Sequence, residues 1–588
     1  MTTADRVEYA PSQEVAGRFP EISPATFRRS VVLVSSDGEV FEGAEAVLRS
    51  LAETPGHRWL LAAYRRVPGF AAAAEAAYRF VARHRTAGLR VTNALWGKTV
   101  EPPTYRIASS LFVRGVGICF FAAFVSLWLQ VDGLVGSHGI LPVGNLLEAA
   151  RSQLSPGERV TLLPTLCWWN GSDAFLHFLC GAGALASLAV FLGLVPAPAL
   201  FLCWASYLSL CVAGQDFLEF QWDLLLLETG LLAIFLAPVG RWRIGAALEP
   251  HRLARLLALW LLFRLIFSSG FVKLASHDPA WRNLTALAYH YWTQPLPPWT
   301  AWSASHHPLW FYKLSCVLLF AIELGAPFFI LAPRRLRLLA AAAMVGLQLM
   351  IAATGNYAFF NILTIALCLL LIDDAAFPAR LRERAAADPR AGSGRWPRLV
   401  LIPVAGFLLL MSFIAFAATL QLRVPWPGFA ISIARAALPF RSVNNYGLFA
   451  VMTTSRPEIV MEGSSDGITW KEYEFRWKPG DLQRRPRFVA PHQPRLDWQM
   501  WFAALGTPGE HPWFFPFCAR LLEGEASVTS LLSKNPFRDA PPQYLRAVLY
   551  QYRFTTPAER RATGDWWARE PKGLYAPVLS REMLRRRE

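Results

Sequence analysis

Between Ser110 and Leu420 the chain runs repeatedly for about 20 residues with almost no charge. That is the length an α-helix needs to cross the hydrocarbon of a bilayer. In lipid every backbone amide must be satisfied within its own segment, so helices are the expected form of these runs. Spans are expected at about 109–130, 173–194, 196–213, 223–240, 254–275, 309–332, 337–353, 357–372 and 399–420. The third, seventh and eighth are short.

Arginine placement orients them. Arg241, Arg243 and Arg252 follow the fourth run, and Arg334, Arg335 and Arg337 follow the sixth. Arg380, Arg382, Arg384, Arg390, Arg395 and Arg398 follow the eighth. The segment 214–222 has no Lys or Arg, and 276–308 has only Arg282. Lys and Arg stay cytoplasmic, which puts the N-terminus inside and residues 421–588 outside. The net charge of +16 therefore reads as cytoplasmic loops. No nucleic-acid motif accompanies it, and no nucleic-acid partner is expected.

Met1 to Ser30 lacks a basic segment followed by an apolar one, so the first span is expected to act as an internal signal. Six of the eight cysteines lie in apolar runs, where a thiol behaves as a small hydrophobe. Only Cys167 and Cys518 lie in polar segments, and a bridge between them is left open.

Three parts follow: a leader over 1–105, a membrane domain over 106–420 and a β-rich soluble domain over 421–588. In the leader, Val31 to Gly43 reads as two short strands around Ser-Asp-Gly, followed by helices. In the tail, NNYGLFAVMTT, PEIVMEGSSDG, TWKEYEFRW and LRAVLYQYRFT read as strands. Ser464 to Gly467 is a hairpin signal. Pro491 to Leu505 turns into a helix bearing Trp498 and Trp501, a candidate client surface. The fold class is an α-helical polytopic membrane protein of about nine spans, with that β-rich tail and a small α/β leader.

The stretch Arg264 to Trp299 carries the densest polar chemistry. Lys273, His277, Asp278, Arg282 and His290 are its candidate functional residues. Charge inside an apolar span is costly and usually has a partner. Helical rise places Glu228 level with Lys273, and Arg264 level with Glu323 nearer mid-membrane. Two intramembrane ion pairs are expected, which would bring the fourth, fifth and sixth spans together. Asn170-Gly-Ser172 and Asn283-Leu-Thr285 match the glycosylation acceptor pattern, and both are expected outside.

Several segments resemble the lipase maturation factor family. They include DGLVGSHGILP, FLEFQWDLLLLETGLLAIFLAP, FRLIFSSGFVKLASHDPAWRNLTALAYHYWTQPLP, TGNYAFFNILT, RRPRFVAPHQPRLDWQMWFAALG and NPFRDAPPQYLRAVLYQYRFT. The resemblance implies a polytopic membrane protein that helps lipases reach an active fold. It also implies residence in the endoplasmic reticulum of a eukaryote or the inner membrane of a bacterium. The leader resembles the second half of the DCC thiol-disulfide oxidoreductase-like family, through Asp37-Gly38, FEGAEAVLRSL and YRFVARHR. That family's cysteine pair would precede Val31, where there is none, so the leader is expected to be a truncated remnant without redox activity.

No HExxH pattern and no P-loop is present, and no histidine pair has clear metal spacing. No catalytic set, metal or cofactor is expected. The expected function is that of a chaperone-like maturation factor. Its partners would be a secreted or luminal client, a lipase by the family resemblance, and the bilayer. The alternative is a membrane enzyme with an outer-surface acid/base site around Lys273 and His290.

Overall fold

The computed structural model describes residues 7–53, 56–97, 102–238, 249–386 and 396–585. Arg241, Arg243, Arg390 and Arg395, which helped to orient the spans, lie outside the described residues. Two compact units emerge: Met1–Pro102 with Pro333–Leu336, and Pro103–Ala332 with Arg337–Glu588.

In the first unit, β1 (Val32–Val34) and β2 (Val40–Glu42) form an antiparallel hairpin. Gly38 in its turn has φ +82°, a conformation glycine adopts without strain. Helix Gly43–Ala52 follows, then Arg58–Arg66, Phe70–Arg83 and Arg85–Trp96. The Glu75 carboxylate accepts bonds from the Ala44 and Glu45 amides at 3.1 and 3.3 Å. A negative charge there satisfies amide donors that a helix leaves open at its start.

Among the described residues seven helices are long and apolar enough to cross a bilayer, all of them wholly or mostly in the second unit. They are Arg106–Trp128, Asp173–Leu192, Pro196–Ala213, Arg252–Ala275, Leu309–Phe329, Arg334–Thr354 and Arg398–Thr419. The other two of the about nine expected spans form shorter helices. Gln221–Leu236 has 16 residues and Phe360–Leu369 has 10. Phe360–Leu369 is shorter than its apolar run because the residues on either side of it form turns. Both helices are buried over most of their length, so their apolar character reflects protein neighbours rather than lipid.

Each short helix nevertheless connects the two ends of the bundle. Asp223 bonds the tail, while Glu249 accepts from the Tyr105 amide at 2.9 Å where the first long helix begins. Asn356 bonds the tail, while Asp374 accepts from Thr104 Oγ1 at 2.7 Å. The chain thus alternates between ends, and the tail lies at the end opposite Tyr105.

The tail contains a four-stranded antiparallel sheet in the order β4-β3-β7-β8. Its strands are β3 (Pro457–Ser464), β4 (Lys471–Glu472), β7 (Tyr544–Phe554) and β8 (Trp567–Ser580), and β5 (Glu474–Phe475) pairs with β6 (Leu532–Lys534). Nearly all of β3 is buried, as expected of a strand covered on both faces. Helix Arg495–Ala504 is one of its covers. The stretch NNYGLFAVMTT is not a strand, and β8 was not expected. Pro571, Gly573 and Pro577 interrupt its pattern, and such residues are tolerated on the edge position that β8 occupies.

Candidate functional site

Helix Arg252–Ala275 carries both cations that the sequence singled out, and each has a carboxylate. The partners are exchanged relative to the depth argument. Arg264 pairs with Glu228, and Lys273 pairs with Glu323 at 2.8 Å. The depth argument failed because the span over Leu309–Phe329 is not one regular helix. Ala321–Gly325 forms a π-helical turn that carries Glu323. Such turns shift side chains off helical register. Close approach is possible at Gly270, where any Cβ would lie 2.9 Å from Glu323 Cβ.

The Glu228 site draws on the chain beyond the spans. Tyr446 Oη donates to Glu228 Oε2 at 2.7 Å and the Asn444 amide donates to the same oxygen at 3.0 Å. Arg264 returns a bond to the Asn444 carbonyl at 3.1 Å. A buried ion pair is tolerated only when its remaining lone pairs and protons are satisfied. Here the segment entering the tail satisfies Glu228 Oε2 and one Arg264 nitrogen, while Arg264 Nε has no partner among the described residues.

The 276–308 stretch folds into helices Pro279–Arg282, Ala286–Thr293 and Trp299–Ala304. Its five candidate residues divide sharply. Asp278 is buried and structural: its carboxylate accepts from Ala280 N at 2.6 Å and from Met452 N at 2.7 Å. His290 is half-buried, with Nε2 3.0 Å from the Tyr357 hydroxyl. Burial, reinforced by Lys273, pushes its pKa down to about 4. Lys273 is buried against Glu323 and lies 5.4 Å from the centre of the Trp281 ring. His277 and Arg282 are exposed and contact one another. These positions do not gather around one solvent-reached point: Lys273 and Asp278 are buried, His290 is half-buried, and His277 and Arg282 are exposed.

Trp498 and Trp501 are buried, not displayed, which corrects their reading as a client surface. Trp498 packs edge-on against Trp222 with ring centres 4.7 Å apart, and Trp501 Nε1 donates to the Thr293 carbonyl at 2.9 Å. Large aromatic surface is most favourable when removed from water, and here it joins tail to bundle.

Sequence reasoning missed the strongest joint. Arg495 and Asp223 are both fully buried, with Nη2 to Oδ1 at 2.8 Å. Tyr207 Oη also donates to Asp223, and the Arg495 amide donates to Gln130 Oε1 at 2.9 Å. The two charges stand 272 residues apart, so no spacing could reveal them. A second joint centres on Arg456, which donates to the carbonyls of Trp292 and Pro295 at 2.8 Å and pairs with Glu458. Lys478 pairs with the same glutamate at 2.9 Å.

Two further sequence features resolve structurally. Gly463 to Gly467, GSSDG, has the G-x-S-x-G spacing, in the segment that also carries the hairpin signal. It links β3 to β4, whereas a nucleophile elbow links a strand to a helix. Cys167 and Cys518 are free, and burial raises both thiols, which removes thiolate character.

Comparison with known proteins gives this geometry its family. Residues 107–379 match the lipase maturation factor transmembrane domain, and 442–577 match the lipase maturation factor C-terminal domain. The chain belongs to the lipase maturation factor family. It is 37% identical to human lipase maturation factor 2, over 81% of this chain and 83% of that protein. It is 38% identical to the Gallus gallus counterpart, over 82% of each. It is 32% identical to lipase maturation factor 1 of Bos taurus, over 82% of this chain and 90% of that protein. Residues 2–90 match a DCC1-like thiol-disulfide oxidoreductase family, although the first cysteine is Cys119. No solved structure matches the chain.

Proposed function

We propose that this membrane maturation factor assists the folding or assembly of a lipase-like client on the side of the membrane that holds the tail. The observation that carries the reading is joint coverage: relatives named for lipase maturation align across both the bundle and the tail. The placement of arginines supports an extracytoplasmic tail, which is the lumen in a eukaryote and the periplasm in a bacterium. The proposed client surface is built from the tail together with the 276–308 loop. The two are tied by Trp302 Nε1 to the Thr555 carbonyl at 2.9 Å and by the Arg456 joint. A rigid surface holds a client without first having to order itself. His277 and Arg282 remain exposed on the loop, and Val451 and Ile468 are exposed on the tail side.

The test is secreted lipase activity per unit lipase protein, in a host lacking its own factor. Ala at His277 or Arg282 should lower activity by interface-sized effects of about 1 kcal/mol each. A single variant that folds and still binds client, yet loses activity a hundredfold, would replace this reading with an enzymatic one.

A further inference from the structure

The sheet domain carries an arginine cluster that the ion-pair joints do not use. Arg476, Arg484, Arg485 and Arg487 line one cleft with Lys478, next to Pro297. Asp481 is the only acid in that lining. Among the described residues none of the four arginines has a carboxylate within 4.0 Å, whereas Lys478 is neutralised by Glu458. The four arginines thus lack an ion-pair partner, with Asp481 in the lining and Asp497 acting on Arg484 from farther off.

Two of these cations are fixed in place. Arg476 donates to the Ser530 and Leu532 carbonyls, and Arg484 donates to those of Phe475 and Lys478 at 2.7 Å. The other two are poised. Arg485 is exposed, and its guanidinium lies 4.6 Å from the centre of the Trp299 ring. Stacking of that kind occupies the guanidinium face and leaves its N–H edge for a ligand. Arg487 is exposed beside it.

The cleft sits where a span emerges. Thr300 Oγ1 donates to the Ala353 carbonyl in the last turn of Arg334–Thr354, and Asn356 Nδ2 donates to the Arg487 carbonyl at 3.0 Å. Trp299 and Phe488 stand edge to face there, 6.2 Å between centres, and both are exposed. Exposed aromatic rings beside a helix end are typical of the headgroup level of a bilayer. Arginine is the residue that best matches a phosphoryl group with paired donors.

The geometry points to a phospholipid-binding site: Arg485 and Arg487 hold the phosphoryl group of an anionic lipid in the leaflet on the tail's side, with Trp299 and Phe488 against its glycerol and upper acyl region. The source is the lipid, not free phosphate, because the aromatic pair borders the cations on the side of the span end.

The experiment uses the full chain, purified in mild detergent and exposed to mixed micelles of phosphatidylglycerol or phosphatidylcholine, with bound lipid counted by native mass spectrometry. Wild type should retain phosphatidylglycerol in preference to phosphatidylcholine. Combined Arg485→Gln and Arg487→Gln should lower phosphatidylglycerol retention roughly tenfold. The Arg485→Lys, Arg487→Lys pair should recover much of it, with unchanged thermal unfolding in both variants. Equal retention by wild type and the glutamine variant overturns the proposal. So does displacement of the lipid by millimolar inorganic phosphate, which would make the site one for free anions.

Discussion

The leader and the tail both lie outside the apolar spans, yet they are built in opposite ways. In the leader, helices Arg58–Arg66, Phe70–Arg83 and Arg85–Trp96 bury no residue fully, and burial gathers on helix Gly43–Ala52, beside the hairpin and the Glu75 cap. In the tail, Arg456, Glu458 and Arg495 are fully buried charges, each paired. A buried charge demands a fixed partner, so these residues fasten the tail to one position on the bundle. The difference teaches where rigidity is needed. The tail is a continuation of the membrane domain, while the leader is a unit whose fold is its own.

The largest break in this contrast should come at Arg495. Arg495→Met leaves Asp223 buried without a cation, a change that typically costs about 3–5 kcal/mol. Most of the protein should then fail to elute as a folded species in size-exclusion chromatography. The pair Arg495→Met with Asp223→Leu should recover a substantial part of the loss, because an apolar pair needs no solvation. If the single variant behaves as wild type, the joint does not hold the tail.

The two intramembrane pairs sharpen the comparison. Glu228→Gln strands Arg264, which cannot give up its proton. Lys273→Met strands Glu323, which can neutralise itself by taking one up. The first change should cost about 3 kcal/mol or more, and the second about 1–2 kcal/mol. Thermal unfolding of both variants in the same nanodisc reads the order, and a reversed order would mean that a stranded Arg264 is relieved more easily than a stranded Glu323.

Acid should loosen the tail's seam before it reaches the leader's hairpin. At that seam His290 borders Tyr357, and His492 of the tail lies with Nδ1 2.9 Å from Ser126 Oγ of the first long helix. The pKa values of His290 and His492 are each pushed to about 4 by burial, from an ordinary value of 6.5. Each is neutral when folded but charged when unfolded between those values, so the unfolded state binds more protons there. Their contribution is complete above about pH 6.5 and is lost as pH falls toward 4. Allowing for partial exposure, the loss is about 2 kcal/mol each. Denaturation from pH 7 to pH 4 should show the decline, and His290→Gln with His492→Gln should flatten it. An unchanged slope in that double variant would assign the acid sensitivity elsewhere.

What the sequence made legible follows from range. Span positions, the β1–β2 hairpin, the Ser464–Gly467 turn and the helix after Pro494 depend on neighbours a few residues away, and periodicity reports them. Arg264 and Lys273 stood out because a charge in an apolar run is anomalous by itself. Their partners did not, since a π-helical turn at Glu323 moved one carboxylate and residues 444–446 completed the other. Asp223 and Arg495 were invisible for a related reason: Asp223 lies at a span end and Arg495 in a polar stretch, where charge is ordinary. Trp498 and Trp501 carried the right weight and the wrong assignment, because an aromatic helix looks alike whether it faces a client or a bundle.

The smallest effect should come from the leader. Its family match names an oxidoreductase, and thiol chemistry requires a thiolate nucleophile. The chain has no cysteine before Cys119, which is itself buried within the first span. The second unit meanwhile completes its own core and satisfies its first helix through Glu249 and Asp374. Deleting residues 1–97 should therefore shift the unfolding free energy of the remainder by no more than about 0.5 kcal/mol. It should also leave dithiol-linked turnover at the background level already expected of the full chain. The measurement pairs thermal unfolding in nanodiscs with an insulin-reduction assay on both proteins. A folded fraction as low as that of Arg495→Met would erase the contrast between leader and tail. Turnover present in the full chain and lost on deletion would give the leader a chemistry that its residues do not supply.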